Sequence, residues 1–96
     1  NVYPREIEDC LYEHPAVAEV GAIGIPPGAS DQRAKAFVVL KEGETATAAE
    51  LIEFCGERLA RFKVPKEIEF RDELPRTFVG KVLRRELAKQ EEAKES

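Results

Sequence analysis

The chain has 96 residues, of which 43% are hydrophobic and 35% are charged, and its net charge is −4. This length suits one small soluble domain, but not a core together with a large enclosed substrate pocket. No apolar run approaches the roughly 20 residues that cross a bilayer, and no signal peptide is visible; since Asn1 is not an initiator methionine, we expect a piece of a larger protein.

The first half of the chain predicts a helix followed by a β-hairpin. Pro4 suits the first turn of a helix, and apolar residues at spacings of three and four extend an amphipathic helix that Pro15 ends. Residues 17–25 and 34–40 are rich in β-branched and small apolar side chains, which is typical of buried strands. The prolines and glycine of residues 26–28 predict a turn, so the two strands should form a hairpin with a long, mobile connection.

The second half predicts a helix, a strand and a final helix. Thr47 and Glu50 have the spacing of a capping box, and apolar residues after them supply one helical face. Residues 67–70 alternate polar and apolar as a short strand does. The last helix should begin near Lys81 or Val82. This order predicts an α+β fold, a small single domain in which about three helices cover a short, mainly antiparallel sheet.

Residues 75–81, Pro-Arg-Thr-Phe-Val-Gly-Lys, carry the strongest functional signal. Residues 76–89 have a net charge of +4, whereas residues 1–75 have a net charge of −6, which indicates a local anionic partner. Gly80 permits a tight turn, and the helix expected to start beside Lys81 offers free N–H groups. An anion supplied from outside would use those groups and relieve the repulsion among the cations.

Other interpretations of this segment remain open. A solvated basic helix face explains the same residues without any ligand. A phosphate-binding P-loop does not fit, because Pro75 stands where its first glycine belongs and Val82 where its Ser or Thr belongs. Nucleic-acid binding is disfavoured, because the basic run is short and Phe78 is its one aromatic neighbour. The residues alone therefore predict an anion site at Lys81 and nothing more specific.

Cys10 and Cys55 are predicted to be small buried hydrophobes. They lie far apart in the sequence, with no CxxC spacing and no histidine near either one. Two such cysteines make neither a disulfide framework nor a zinc site, so no metal site is expected. A reducing, cytoplasmic setting is the corresponding expectation for localisation.

Five short segments stand in order along the chain. They are Asn1-Val2-Tyr3-Pro4-x-Glu6-Ile7-Glu8, His14-Pro15-x-Val17-x-Glu19, Ala36-Phe37-Val38, Leu59-Ala60-x-Phe62-Lys63-Val64-Pro65 and Leu74-Pro75-Arg76-Thr77-x-x-Gly80-Lys81-x-x-Arg84. The last resembles the final core motif of the adenylate-forming (AMP-binding) superfamily, which includes acyl-CoA synthetases, luciferases and peptide-synthetase adenylation domains. The first resembles the end of the motif that opens its C-terminal domain. By this resemblance, residues 1–89 are the C-terminal lid domain of an acyl-CoA synthetase, residues 90–96 are a frayed polar tail, and the large N-terminal domain lies outside the chain.

The resemblance implies a two-step reaction. A carboxylic acid and Mg-ATP give an acyl-adenylate and pyrophosphate; the C-terminal domain then rotates, and the thiol of coenzyme A attacks the adenylate. Lys81 matches the family's catalytic lysine, whose ammonium bridges the substrate carboxylate and the α-phosphate. Arg76, Thr77 and Gly80 would support the loop that presents it. Because the ATP site and acyl pocket belong to the large domain in this family, the fragment alone should be inactive and should hold no ligand tightly.

The resemblance also suggests contacts and a substrate. Tyr3 would help to line the pantetheine tunnel, while Arg58 and Lys63 either meet coenzyme A phosphates or are plain surface cations. The opening residues are similar to those of fatty-acyl-CoA ligases, which implies a medium- or long-chain fatty acid and leaves peripheral membrane association of the parent enzyme open. The alternative is a free-standing binding module that docks its basic helix onto an acidic protein or nucleotide.

Overall fold

A three-stranded sheet forms the centre of the computed structural model, which describes residues 1–95. The elements in chain order are α1 (Pro4–Tyr12), β1 (Val17–Ile25), β2 (Arg33–Leu40), α2 (Ala48–Gly56), a 3₁₀ turn (Arg61–Lys63), β3 (Glu67–Phe70) and α3 (Arg84–Glu95). The predicted α+β class and the predicted order of elements are confirmed. No helix within these residues is long and apolar enough to span a membrane.

Strand β2 lies between the other two strands and pairs with each in a different direction. It runs antiparallel to β1, from Val17 opposite Leu40 to Ile25 opposite Arg33. It runs parallel to β3, with Ala36 opposite Ile68. Parallel neighbours need a long crossover, and the connection that contains α2 supplies it. The capping box that opens α2 is present in part, since the Thr47 hydroxyl accepts a hydrogen bond from the Glu50 N–H at 3.1 Å.

The two faces of the sheet carry separate cores. Alternating residues of β1 and β2 point to opposite faces, as the two-residue period of a strand requires. One face packs against α1 and α2, and its buried cluster includes Ile7, Leu11, Val20, Val38 and Leu51. The other face packs against α3, and its cluster is Ile23, Ile25, Phe37, Leu74 and Leu87. Helix α3 and the segment before it are therefore fixed to the face opposite α1 and α2.

Gly21 brings the segment before α3 close to β1. A Cβ atom at this position would lie 2.7 Å from Cδ1 of Leu87 and 2.8 Å from Cγ1 of Val82. Such distances are shorter than van der Waals contact, so the absence of a side chain at Gly21 is what allows these two residues to pack there. Val82, which directly follows residues 75–81, thereby packs with Leu87 of α3 against the centre of β1.

Two predictions about the last helix are wrong. The helix begins at Arg84 rather than near Lys81 or Val82, because Lys81 and Val82 belong to a turn that precedes it. Nor does the tail fray from residue 90: the helix continues to Glu95, and only Ser96 lies outside the described residues. The cause is a set of long-range contacts, above all that between the buried Glu91 carboxylate and the Lys35 ammonium at 2.8 Å.

Candidate functional site

Residues 76–82 form a short hairpin, which we call the Lys81 hairpin. It is closed by an antiparallel bridge between Arg76 and Val82. The Thr77 N–H donates to the Lys81 carbonyl at 2.7 Å, and the Gly80 N–H donates to the Thr77 carbonyl at 2.9 Å. Gly80 has φ = +91°, a conformation that glycine adopts without a steric cost. The hairpin is therefore an ordered turn and not a loose loop.

Thr77 also holds Lys81 through its side chain. The Lys81 N–H donates to the Thr77 hydroxyl oxygen at 3.1 Å, so both main-chain groups of Lys81 are engaged with the same residue. The Lys81 side chain is exposed, and within residues 1–95 its ammonium forms no ion pair or hydrogen bond. A fixed backbone that carries an unengaged cation is well suited to meet an anion brought from outside.

Arginines at both ends of the hairpin are tied to acidic residues. Arg76 pairs with Glu19 of β1 at 2.6 Å, whereas the family resemblance implied only that Arg76 supports the loop that presents Lys81. Oε1 of Glu19 is buried and has no hydrogen-bond partner in the described part of the chain. The arginine is thus the charge that compensates this partly buried carboxylate, and its role in the structure is to anchor the hairpin.

Arg84 anchors the other end of the hairpin through Glu8 of α1. Its guanidinium bonds to both carboxylate oxygens of Glu8, with Nε to Oε2 at 2.7 Å. This bonding raises the pKa of Arg84, against the smaller effect of burial. The same Glu8 oxygen accepts the Ala22 N–H at 2.9 Å, so one carboxylate joins α1, β1 and the start of α3. The acidic partner of Arg84 therefore lies within this domain.

An open groove of about 540 Å³ lies between the hairpin and α1. Gly80, Lys81, Val82 and Arg84 line one side, and the α1 residues Arg5, Glu8, Asp9 and Tyr12 line the other, with Val20 beneath. The groove has charges of both signs, and no group of three potential metal ligands occurs among residues 1–95. The domain thus presents the Lys81 ammonium beside a groove that is lined by charges of both signs.

The three candidate coenzyme A contacts do not lie along this groove. Tyr3 and Lys63 do come together, since the Lys63 ammonium lies 4.8 Å from the Tyr3 ring centroid and also pairs with Glu6 at 3.0 Å. Arg58 lies elsewhere, stacked 3.5 Å above the Phe54 ring and bonded to the Phe54 carbonyl. Arg58 therefore has a packing role in this structure.

Cys10 and Cys55 are both buried, as the sequence predicted. They face each other between α1 and α2. Burial raises the pKa of the Cys10 thiol and, together with its Cys10 neighbour, raises that of Cys55 to about 12. Thiols with such pKa values remain protonated near neutral pH and are poor nucleophiles.

Sequence reasoning missed the roles of Glu8 and Glu19 at the site. Glu8 is 76 positions from Arg84 along the chain, and no local pattern reports such a pair. Both acids do occur within the segments that carried the family resemblance. Their presence in those segments was the one sign that they matter for the site, but it did not indicate which arginines they pair with.

Comparison with known proteins places this geometry in a family. Residues 6–81 match the family described as the AMP-binding enzyme C-terminal domain. The chain is 53% identical over 91 residues to the long-chain-fatty-acid–CoA ligase of Bacillus subtilis strain 168, covering 95% of the chain and 16% of that protein. It is 51% identical over 87 residues to the 2-succinylbenzoate–CoA ligase of Bacillus cereus strain Q1, covering 91% of the chain and 18% of that protein.

A solved structure agrees with these relatives. The Mycobacterium tuberculosis fatty acyl CoA synthetase superposes with a TM-score of 0.84 at 40% identity, over 98% of this chain and 18% of that one. The chain therefore spans less than a fifth of each of these proteins.

Proposed function

The chain belongs to the family of AMP-binding enzyme C-terminal domains, and from that premise we propose that it works as the mobile C-terminal domain of an ATP-dependent acyl-CoA ligase. One observation carries the proposal: the Lys81 ammonium is presented on an ordered hairpin and has no partner within residues 1–95. ATP with Mg²⁺, coenzyme A and a carboxylic acid are the substrates of the intact enzyme, and most of their binding surface belongs to the rest of the protein.

In the first half-reaction, the substrate carboxylate oxygen bonds to the α-phosphorus of ATP while the bond to the pyrophosphate oxygen breaks. Negative charge is concentrated where the carboxylate meets the α-phosphate. The Lys81 ammonium would lie between the two and lower their repulsion. A positioned donor of this kind contributes roughly 3 to 4 kcal/mol to transition-state stabilisation when it acts in a site shielded from water.

In the second half-reaction, the sulfur of coenzyme A bonds to the acyl carbon and AMP leaves. The C–O bond between the acyl carbon and AMP breaks, its electron pair goes to the departing phosphate oxygen, and the thiol gives up its proton. No bond at phosphorus is made or broken in this step, so we assign Lys81 to the first half-reaction only. We propose that the whole domain moves between the two steps and carries the hairpin out of the site. The hairpin is joined to β1 and α1 by Glu19 and Glu8, which favours its motion with the domain as one body.

A fatty acid of medium or long chain is the proposed acyl substrate. Support comes from the 53% identity to a protein named as a long-chain-fatty-acid–CoA ligase. The chain is also 51% identical to a protein named as a 2-succinylbenzoate–CoA ligase, which supports a domain that serves different acyl groups. The choice of acid is therefore assigned to the large domain, and a cytoplasmic location is proposed with it.

The test is synthesis of acyl-CoA by the full-length protein that contains this chain. Purified protein is incubated with Mg-ATP and coenzyme A and with acids from acetate to palmitate, with 2-succinylbenzoate and an assay without ATP as controls. We expect ATP-dependent acyl-CoA and AMP with the longer fatty acids. Products with 2-succinylbenzoate alone would refute the substrate, and no AMP formation with any acid from a folded protein would refute the ligase function.

A further inference from the structure

The tip of the Lys81 hairpin carries two apolar side chains that are almost entirely exposed to solvent. Phe78 is fully exposed and Val79 is 82% exposed. Isolated apolar side chains on a protein surface are common and do not by themselves indicate a binding site. These two differ because they are adjacent and are displayed by a turn whose backbone bonds, through Thr77, Gly80 and Lys81, do not involve them. The fold of this domain gives no reason for their apolar character.

The position of the tip restricts what could cover it. Successive Cα atoms are 3.8 Å apart, so the Cα atoms of Phe78 and Val79 lie within about 11 Å of that of Lys81. Wherever Lys81 meets its anion, the tip lies at or beside the same site. More than four fifths of each matched relative lies outside the region that this chain covers. That remaining part of the protein supplies the surface beside the Lys81 site.

The charges around the tip favour a protein surface over a lipid surface. Of the cations at positions 76–85, Arg76 and Arg84 are already paired with Glu19 and Glu8. Anionic lipid recruits clusters of unpaired cations, and pairing within the domain weakens that attraction. The whole chain also has a net charge of −4. An apolar protein surface on the same polypeptide would bury the Phe78 and Val79 side chains without any further charge on the hairpin.

We propose that Phe78 and Val79 form a docking tip that packs against an apolar surface of the large domain during acyl-adenylate formation. This inference rests on the proposed function. In the docked state, the ring and the valine side chain set how far the hairpin enters the site, and thus where the Lys81 ammonium stops. They are positioning residues and touch neither ATP nor the acid. When the domain moves for the second half-reaction, the tip leaves its surface.

The experiment compares Phe78→Ser, Val79→Ser and Phe78→Leu in the full-length protein, with Phe70→Ser on β3 as the control. Two rates are measured for each: ATP–pyrophosphate exchange, and acyl-CoA formation from supplied acyl-adenylate. We expect each hairpin serine variant to lose about tenfold or more in exchange kcat, as losing a central apolar interface anchor implies. Phe78→Leu should restore most of the rate, and Phe70→Ser should leave exchange unchanged. Reaction from supplied acyl-adenylate should stay within about twofold of wild type for all of them.

A purely structural role would give a different result. Because Phe78 is fully exposed, its replacement should leave the thermal unfolding midpoint unchanged. The proposal is overturned if Phe78→Ser and Val79→Ser exchange at the wild-type rate, or if both half-reactions fall together. It is also overturned if the serine variants keep exchange but lose binding to phosphatidylglycerol–phosphatidylcholine vesicles, which would identify lipid as the partner. Lys81→Ala separates the two proposals: unchanged exchange in that variant refutes the proposed function itself.

Discussion

Gly80 adopts a positive φ of +91° at the turn of the Lys81 hairpin, and this backbone conformation determines where Lys81 stands. A residue with a Cβ atom pays a steric cost there, which is small for Asn and larger for most others. This turn allows Thr77 to form hydrogen bonds with Gly80 and with both main-chain groups of Lys81. The position of Lys81 is therefore fixed through its backbone, while its ammonium group stays unpaired within the described residues.

We predict that Gly80→Ala lowers the free energy of unfolding of this chain by about 1 kcal/mol, because alanine is strained at positive φ. Gly56→Ala is the matched control: Gly56 lies at the end of α2, a Cβ there meets no atom within 4 Å, and its φ is not positive. That variant should be neutral or slightly more stable. Urea unfolding of the three proteins measures both effects, and equal stabilities would contradict the role given to Gly80.

Local sequence predicted the residues of the site whose roles are local. Gly80 before Lys81 indicated a turn with a cation, and the family resemblance implied that Thr77 supports that turn. The anchors Glu8 and Glu19 could not be predicted, because a carboxylate on a helix or strand surface looks the same whether or not an arginine meets it. The pairing of Arg84 with Glu8 depends on how α1, β1 and α3 pack, which is known only once the fold exists.

At the scale of elements, α3 shows why the predicted end of a helix can be wrong. Its last two turns lack apolar residues of the kind that stabilise a helix by packing. They are held instead by ion pairs that reach across to the sheet. The Lys35 ammonium on β2 lies 2.8 Å from Glu91, and Lys94 lies 3.0 Å from Glu69 on β3. A composition of Gln, Glu, Ala and Lys does not reveal such partners.

Glu69 is at the centre of that ion-pair network. Burial alone would raise its pKa, but hydrogen bonds from Lys35, Arg71 and Lys94 outweigh burial and lower the pKa to about 2. Burial likewise acts to lower the pKa of Lys35, while its bonds to Glu91 and Glu69 raise it overall. The network therefore keeps both signs of charge ionised although Lys35 is nearly inaccessible to water.

We predict a specific loss of stability in acid. The folded pKa of Glu69 is about 2, below the ordinary value of 4.5, so its contribution is complete above about pH 4.5 and is lost as the pH falls toward 2. The contribution is at most about 3 kcal/mol, and less to the extent that water reaches the carboxylate. Unfolding free energies from pH 7 to pH 2.5 test this: Glu69→Gln should be less stable than the wild type at pH 7, and the difference should shrink in that window.

The neighbouring Glu67 provides the control for that experiment. It lies on the same strand and pairs with Arg33, but the side chains of Arg33 and Glu67 are 52% and 40% exposed to solvent. Glu67→Gln should change stability by less than about 1 kcal/mol at any pH, as exposed pairs do. A difference between Glu69→Gln and the wild type that stays constant from pH 7 to pH 2.5 would contradict the assigned role of Glu69.

At the scale of the whole molecule, apolar composition and spacing predicted the fold class and the order of elements. The apolar composition of β1 and β2 and the helical spacing in α1 record which residues are buried, and burial is what sequence patterns report best. The direction in which β3 pairs with β2 was harder to predict, because a four-residue strand can pair either parallel or antiparallel. The connection that contains α2 determines that the pairing is parallel. The family was predicted from motif order and is confirmed.

Lys81→Ala in the full-length protein tests the central claim most directly, with Lys89→Ala, an exposed lysine of α3, as the control. The two half-reactions are measured separately: ATP–pyrophosphate exchange with a fatty acid, and acyl-CoA formation from supplied acyl-adenylate. Because the ammonium acts on charge at the α-phosphate, Lys81→Ala should reduce exchange by about 100-fold or more. It should leave the second half-reaction within about threefold of wild type, with Lys89→Ala normal in both. Equal loss of the two half-reactions, or exchange that survives without Lys81, would contradict the account.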